Sequence, residues 1–331
     1  MSWFETLVGF PETSPKDVRE KVLLEGERLT SLVTQRSFGC GRLETPSLGE
    51  LRDRVGALPS SGGRLQVREL VADAIDLHAD PANADCLFQV ASQFNLLEMA
   101  GPSLTPEDGV GIYENDPTQG PACAIAAGAG TLYRNYFAPV RGAQGQSESN
   151  QIDCLEDLGC ALGNEDEGLW VMRNGYALAT REGLQAIADR LASISEDERD
   201  ALRQKLRIGV HWNTQVTVRG STHAVTQAFC SALPVAYCAH SARDWEPFAR
   251  LVLEASYEAA ICAAILNSAE SGQKRAFFTL LGGGAFGNDL DWILSALGRA
   301  LGRARNRDLE VAIVSRGSSN PHIQKWLAEF R

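Results

Sequence analysis

Short, uncharged apolar runs alternate along this chain with stretches in which apolar residues recur every three or four positions. Ala276 to Leu281 is continuously apolar apart from Thr279, as a strand buried on both faces would be, and Leu290, Ile293, Leu294 and Leu297 then repeat at helical spacing. Leu65 to Val71, Cys86 to Ala91, Ile208 to Val218, Ala224 to Tyr237 and Leu309 to Ser315 also read as strands. Helices are predicted over about 119–137, 243–271 and 288–304, with a short one at the end. Asn174-Gly175 is a strong hairpin signal within Leu169 to Thr180. Strands alternating with helices imply an α/β fold, a largely parallel or mixed sheet covered on both faces.

The N-terminal part reads differently. Ser14-Pro15 and Ser47-Leu48-Gly49-Glu50 are helix starts, the second a capping box. Residues 1–62 are therefore expected to be a helical extension, ending in the turn-rich Pro59-Ser60-Ser61-Gly62-Gly63, with residues 63–331 as one α/β domain. Residues 138–151, polar and rich in Gly and Ser, are the best candidate for a linker or mobile loop. They open an insertion of about 138–205 that carries the hairpin and added helices.

Of the 331 residues 44% are hydrophobic and 22% charged, an ordinary globular balance. The formal charge of −11, with Lys and Arg scattered, argues against a nucleic-acid footprint, so a phosphate ligand would have to be held locally. Neither a spanning apolar segment nor a signal-peptide pattern is found, so no membrane partner and a cytoplasmic location are expected. The eight cysteines lack any CxxC spacing and read as reduced core thiols, and no metal site or cofactor is predicted.

Two segments carry candidate chemistry. Gly282-Gly283-Gly284-Ala285-Phe286-Gly287-Asn288-Asp289 lies between a strand and a helix, where open α/β sheets bind ligands. Glycines there admit positive φ and let an anion approach bare N–H groups beside a helix start. A tight packing turn is the competing reading. Gly282, Gly284 and Gly287 also spell GxGxxG, but only one strand follows, and Glu310 begins it where a ribose-binding acid would end it. The second segment is a loop of about 93–118. No Lys or Arg occurs between Arg68 and Arg134, while Glu98, Glu107, Asp108, Glu114 and Asp116 do. The loop ends in Thr118-Gln119-Gly120-Pro121-Ala122, a second helix start at which a phosphate or ribose can meet backbone donors. Helix capping by Asp116 or Thr118, with the other acids merely solvated, explains the same residues.

With these segments the chain resembles the macrodomain superfamily. Phe88 to Asn95 is similar in position and character to the strand end bearing the family's Asn-Ala-Ala-Asn signature, and Gly284-Ala285-Phe286-Gly287 resembles the corresponding turn of poly(ADP-ribose) glycohydrolases. The resemblance spans roughly 65–137 and 205–331. It implies a three-layer α/β/α domain with ADP-ribose, or an ADP-ribosylated protein, as partner. The family's usual Gly-Gly-Gly-Val-Asp loop is replaced by Thr118 to Ala122, and the double glutamate of the glycohydrolases is absent. The chain looks most like the divergent branch that removes ADP-ribose from arginine and uses aspartates elsewhere around the distal ribose.

By that resemblance Asp116, Asp108 and Glu114 are the candidate catalytic carboxylates. Asp73, Asn95, Thr118, Gln119, Gly120, Gly283, Gly284, Ala285, Phe286, Gly287 and Asn288 are the candidate ligand contacts. Three activities remain open at this point: an ADP-ribosyl hydrolase, a reader that binds without cleaving, and a nicotinamide-dependent oxidoreductase.

Overall fold

The computed structural model describes residues 1–59 and 62–330. Ser60 and Ser61, at the centre of the expected turn, lie outside the described residues. A seven-stranded mixed sheet organises the chain. Its order is Arg42–Glu44, Gly209–Gln215, Ala224–Cys230, Leu87–Ala91, Arg275–Phe278, Glu310–Ser315 and Gln66–Val71. The last five run parallel, and the first two pair antiparallel.

Side-chain alternation sends one set of strand residues to each face. Ala276, Phe278, Val311 and Ile313 point into the main core beneath the 30-residue helix Ala242–Ser271, which packs with Leu290–Arg303. Phe277, Ala312 and Phe88 face the other side in a smaller cluster. The result is a three-layer α/β/α arrangement, as the alternation of elements predicts. Among the described residues no helix is long and apolar enough to cross a membrane.

Three expectations change. The N-terminal extension has both predicted helices, Pro15–Lys21 and Leu48–Gly56, each capped by its serine. It is not helical throughout, since Val22–Glu25, Arg28–Ser31 and Ser37–Gly39 form an antiparallel sheet and Arg42–Glu44 extends the main one. The helix expected over 119–137 breaks at Ala127 (φ −112, ψ 57), where Thr217 Oγ1 accepts the Gly128 amide; it continues as Gly128–Leu132 and a π turn, Tyr133–Phe137. Residues 138–151 are no linker. They form a small hairpin, and the buried Gln146 donates to the carbonyls of Asn95 and Arg134 and accepts the Ile152 amide.

The hairpin at Asn174-Gly175 forms as predicted, with both turn residues at positive φ. All eight cysteines are free, and six are buried.

Candidate functional site

A cavity of about 220 Å³ opens at the carboxyl ends of Leu87–Ala91, Ala224–Cys230 and Arg275–Phe278. One wall is the start of the helix Gln119–Ala126. Gln119 staples that helix to the sheet, its Oε1 accepting the Ala91 amide at 2.9 Å and its Nε2 donating to the Gln89 carbonyl at 2.8 Å. Gly120 is required by contact, because a Cβ there would overlap the Ala91 carbonyl and the Glu98 carboxyl. Among the described residues no side chain caps this helix. Thr118 makes no capping bond, and Asp116 Oδ1 accepts the Thr118 amide instead, at 2.9 Å. Among the described residues the amides of Gln119 and Gly120 therefore have no acceptor, and their partial positive charge faces the cavity.

The opposite wall is the glycine loop. Tyr257, buried in the long helix, donates to the Thr279 carbonyl and accepts the Leu281 amide, both at 2.8 Å, which fixes how the chain leaves its strand. The loop then closes on itself through Gly283 to Leu280, Gly287 to Gly284 and Asn288 to Gly282. Gly282 and Gly287 have φ of +75° and +70°, where a β-carbon would be strained. Gly284, Ala285 and Phe286 are left with amides that meet no acceptor among the described residues. Gly284, Ala285 and Phe286 line the cavity, whereas Gly283 and Gly287 act as its support.

Three readings of this wall are corrected. The following helix, Leu290–Arg303, starts outside the cavity lining, and Asp289 caps it by accepting the Asp291 amide. Asn288 does not reach the cavity; its Nδ2 donates to the Leu233 carbonyl at 2.8 Å and binds the loop to its neighbour. Asp73, a candidate ligand contact, caps Ala74–Ala79 through the Ile75 amide and sits 3.7 Å from Arg316, outside the cavity lining.

The structure sorts the acids. Asp116 lines the cavity, but Asp108 and Glu114 do not. Asp108 folds back to cap its own turn at the Thr105 amide, 2.7 Å away, and Glu114 accepts the Trp3 amide at 3.0 Å on the surface. Asn95 is wholly buried away from the cavity, with its carboxamide spent on Gln151 and the Leu97 amide.

The acid beside Asp116 is Glu98, only 3% exposed, with Oε1 buried and without a hydrogen-bond partner among the described residues. Burial pushes its carboxyl well above the ordinary carboxylate range; Arg134 pulls in the opposite direction, and Asp116 adds a smaller upward push. Arg134 is itself enclosed, 3.8 Å over the Phe229 ring and hydrogen-bonded to the Leu96 carbonyl, Thr131 Oγ1 and His211 Nδ1. Burial, then the Arg134 charge, keeps His211 neutral, so that it accepts. Sequence reasoning counted Glu98 among the loop acids without singling it out. Its signal was a single acid inside the apolar run Leu96-Leu97-Glu98-Met99-Ala100.

Three aromatic rings complete the lining. Tyr176, Tyr237 and Phe286 form a triangle with centroid separations of 5.1, 5.3 and 5.6 Å. Tyr176 is brought in by the inserted hairpin and donates to the Met99 carbonyl at 2.7 Å. Tyr237 lies in the short turn Val235–Tyr237, where the sequence pattern predicted a continuing strand; the strand stops at Cys230, and Pro234, which has no amide to donate, follows.

No protein-family model matches the chain, and no curated protein matches it. Among solved structures, a poly(ADP-ribose) glycohydrolase from Deinococcus radiodurans in complex with ADP-ribose is similar, at 13% identity over 87% of this chain and 91% of that one, with a TM-score of 0.41. The poly(ADP-ribose) glycohydrolase of Thermomonospora curvata bound to the inhibitor ADP-HPD is also similar, at 13% identity over 95% and 94% of the two chains, with a TM-score of 0.44.

Proposed function

We propose that this protein is an ADP-ribosyl hydrolase that cleaves the bond at the anomeric carbon of the distal ribose and releases ADP-ribose from a modified protein. The observation that carries the reading is a juxtaposition. Uncommitted amides at Gln119 and Gly120, and at Gly284 to Phe286, face one cavity that also holds Asp116 and the unpartnered Glu98. Converging N–H groups suit a pyrophosphate in a protein whose net charge would otherwise repel it. The neighbouring carboxyls suit an oxocarbenium-like transition state. The 63–331 unit holds the ligand, and the N-terminal extension adds the edge strand Arg42–Glu44 to its sheet.

Glu98, protonated in its buried setting, donates its proton to the departing group, and Asp116 activates the attacking water from the polar side of the cavity. Phe286 packs against the distal ribose, and Thr118 stands at the rim beside the helix start. Arginine is the favoured acceptor residue. Its guanidinium is attracted by acids that repel phosphate, and by the faces of Tyr237 and Phe286.

Incubation with arginine-, serine- and glutamate-linked ADP-ribosyl peptides, with free ADP-ribose as the measured product, tests both the activity and the linkage. Asp116→Ala is expected to abolish release while leaving ADP-ribose affinity within a few-fold of wild type. Unchanged turnover in that variant removes Asp116 from the mechanism. A protein that binds ADP-ribose and cleaves none of the three linkages is a reader instead. The resemblance to a dinucleotide fingerprint predicts tighter binding of NAD than of ADP-ribose, and a thermal-shift comparison of the two decides that case.

A further inference from the structure

We infer that Glu12, in the N-terminal extension, is a positioning residue that holds the acid-bearing loop in register over the cavity. The inference rests on the hydrolase reading above, because it concerns the placement of Glu98 and Asp116. Glu12 reaches 98 and 99 residues along the chain to accept two successive amides, Val110 on Oε1 at 3.0 Å and Gly111 on Oε2 at 2.6 Å. Its Oε1 also accepts the Tyr136 hydroxyl, from the π turn behind the loop. The backbone is shaped around this carboxylate. Gly109 has φ of +84°, and a Cβ on Gly109 or Gly111 would lie 2.5 or 2.8 Å from Glu12 Oε2.

What Glu12 holds leads directly to the proposed acids. Gly111 opens the turn Gly111–Asn115, which is followed at once by Asp116. Tyr113, inside that turn and fully buried, accepts the Glu98 amide on its hydroxyl oxygen at 3.0 Å. One anchored turn therefore sets the backbone on which both carboxyls stand. The loop has no strand ladder of its own, so without an external acceptor the Val110 and Gly111 amides lose their partners. Trp3 adds a second, weaker hold, its indole N–H donating to the Val110 carbonyl at 3.2 Å. Phe4, Leu7, Val8 and Phe10 pack with Leu97, Met99, Val110 and Tyr113 in a cluster separate from the main core. The amides proposed to hold the phosphate are fixed elsewhere, the helix start by the bonds of Gln119 to Ala91 and Gln89 and the glycine loop by its own closing bonds.

The test is Glu12→Gln in the full chain, an isosteric change that replaces one acceptor oxygen by a donor facing an amide. Amide hydrogen exchange is expected to accelerate at residues 109–116, with kcat for ADP-ribose release falling about tenfold through misplacement of the reacting groups. ADP-ribose affinity stays within twofold and the melting temperature changes little. Trp3→Phe, which removes a single hydrogen bond, moves the same readouts in the same direction by less, and carries the test if Glu12→Gln does not fold. Unchanged exchange at 109–116 overturns the inference. So does faster exchange with unchanged kcat, or a loss of affinity and melting temperature that parallels the loss of kcat. If wild type releases no ADP-ribose, the hydrolase reading falls, while the exchange measurement still decides whether Glu12 anchors the loop.

Discussion

Glu258 and Glu98 are almost equally withdrawn from solvent, with 2% and 3% exposure, and they have opposite surroundings. Glu258, in the long helix, is clasped by Arg52 at 2.6 Å, by Arg299 at 2.5 Å and by Arg303 at 3.3 Å, and the same arginines reach Asp200, whose carboxyl is lowered by the Arg52 hydrogen bonds. Glu98 Oε1 meets no hydrogen-bond donor among the described residues, and the Arg134 guanidinium that acts on it is committed to other acceptors. A buried carboxyl with matched donors ties helices together. One left without them costs stability, which is consistent with the acid role proposed for Glu98 at the cavity wall.

The comparison breaks first on turnover. Glu98→Gln is expected to lower ADP-ribose release by about 10²–10⁴-fold, the range for a lost general acid, with ADP-ribose affinity preserved in calorimetry. In wild type the same role predicts that kcat/KM declines on the alkaline side, as Glu98 loses its proton; a flat alkaline profile argues against it. Glu258→Ala should do the reverse. Arg52 and Arg299, about one-fifth exposed, lose their central partner, and urea titration is expected to show a loss of about 3 kcal/mol with kcat unaffected once the protein is folded.

The smallest effect sharpens the contrast. A glutamyl carboxyl in the unfolded chain releases its proton near 4.5, whereas native Glu98 keeps it to higher pH. The native state therefore binds more protons across that interval, and stability falls as pH rises through it. Glu98→Gln removes this dependence. The variant is expected to melt higher than wild type at neutral pH, on the order of 3 °C, with the difference vanishing below pH 4.5. A variant that melts lower at neutral pH would show that Glu98 contributes to stability instead.

Local signals were readable wherever neighbours along the chain supplied the cause. The serine caps of Pro15–Lys21 and Leu48–Gly56, the Asn174-Gly175 hairpin and the strand–glycine–helix order at 275–303 each follow from residues a few positions apart. Half of the candidate site was legible in the same way: Asp116, Gln119, Gly120 and Gly284 to Phe286 come from contiguous motifs, and all line the cavity. Asp108, Asn95 and Asp73, picked out by type and position, are engaged in local caps or loop bonds, while Glu114 is taken by the Trp3 amide and Asn288 by the Leu233 carbonyl. A side chain's choice between a nearby amide and a distant ligand is made by geometry that composition does not express.

The order of apolar and glycine residues by itself determined that this chain builds an α/β sheet with two amide-rich turns at strand ends. Tertiary structure alone decided that the two turns share a cavity, that Glu98 stands beside Asp116, and that Tyr176 and Tyr237 close the wall. It also decided that Glu12 holds a loop about a hundred residues away. The physical reason is range. Helix caps and strand patterns are set by contacts within a few residues, whereas burial of a carboxyl and convergence of amides arise only when separate segments are packed together.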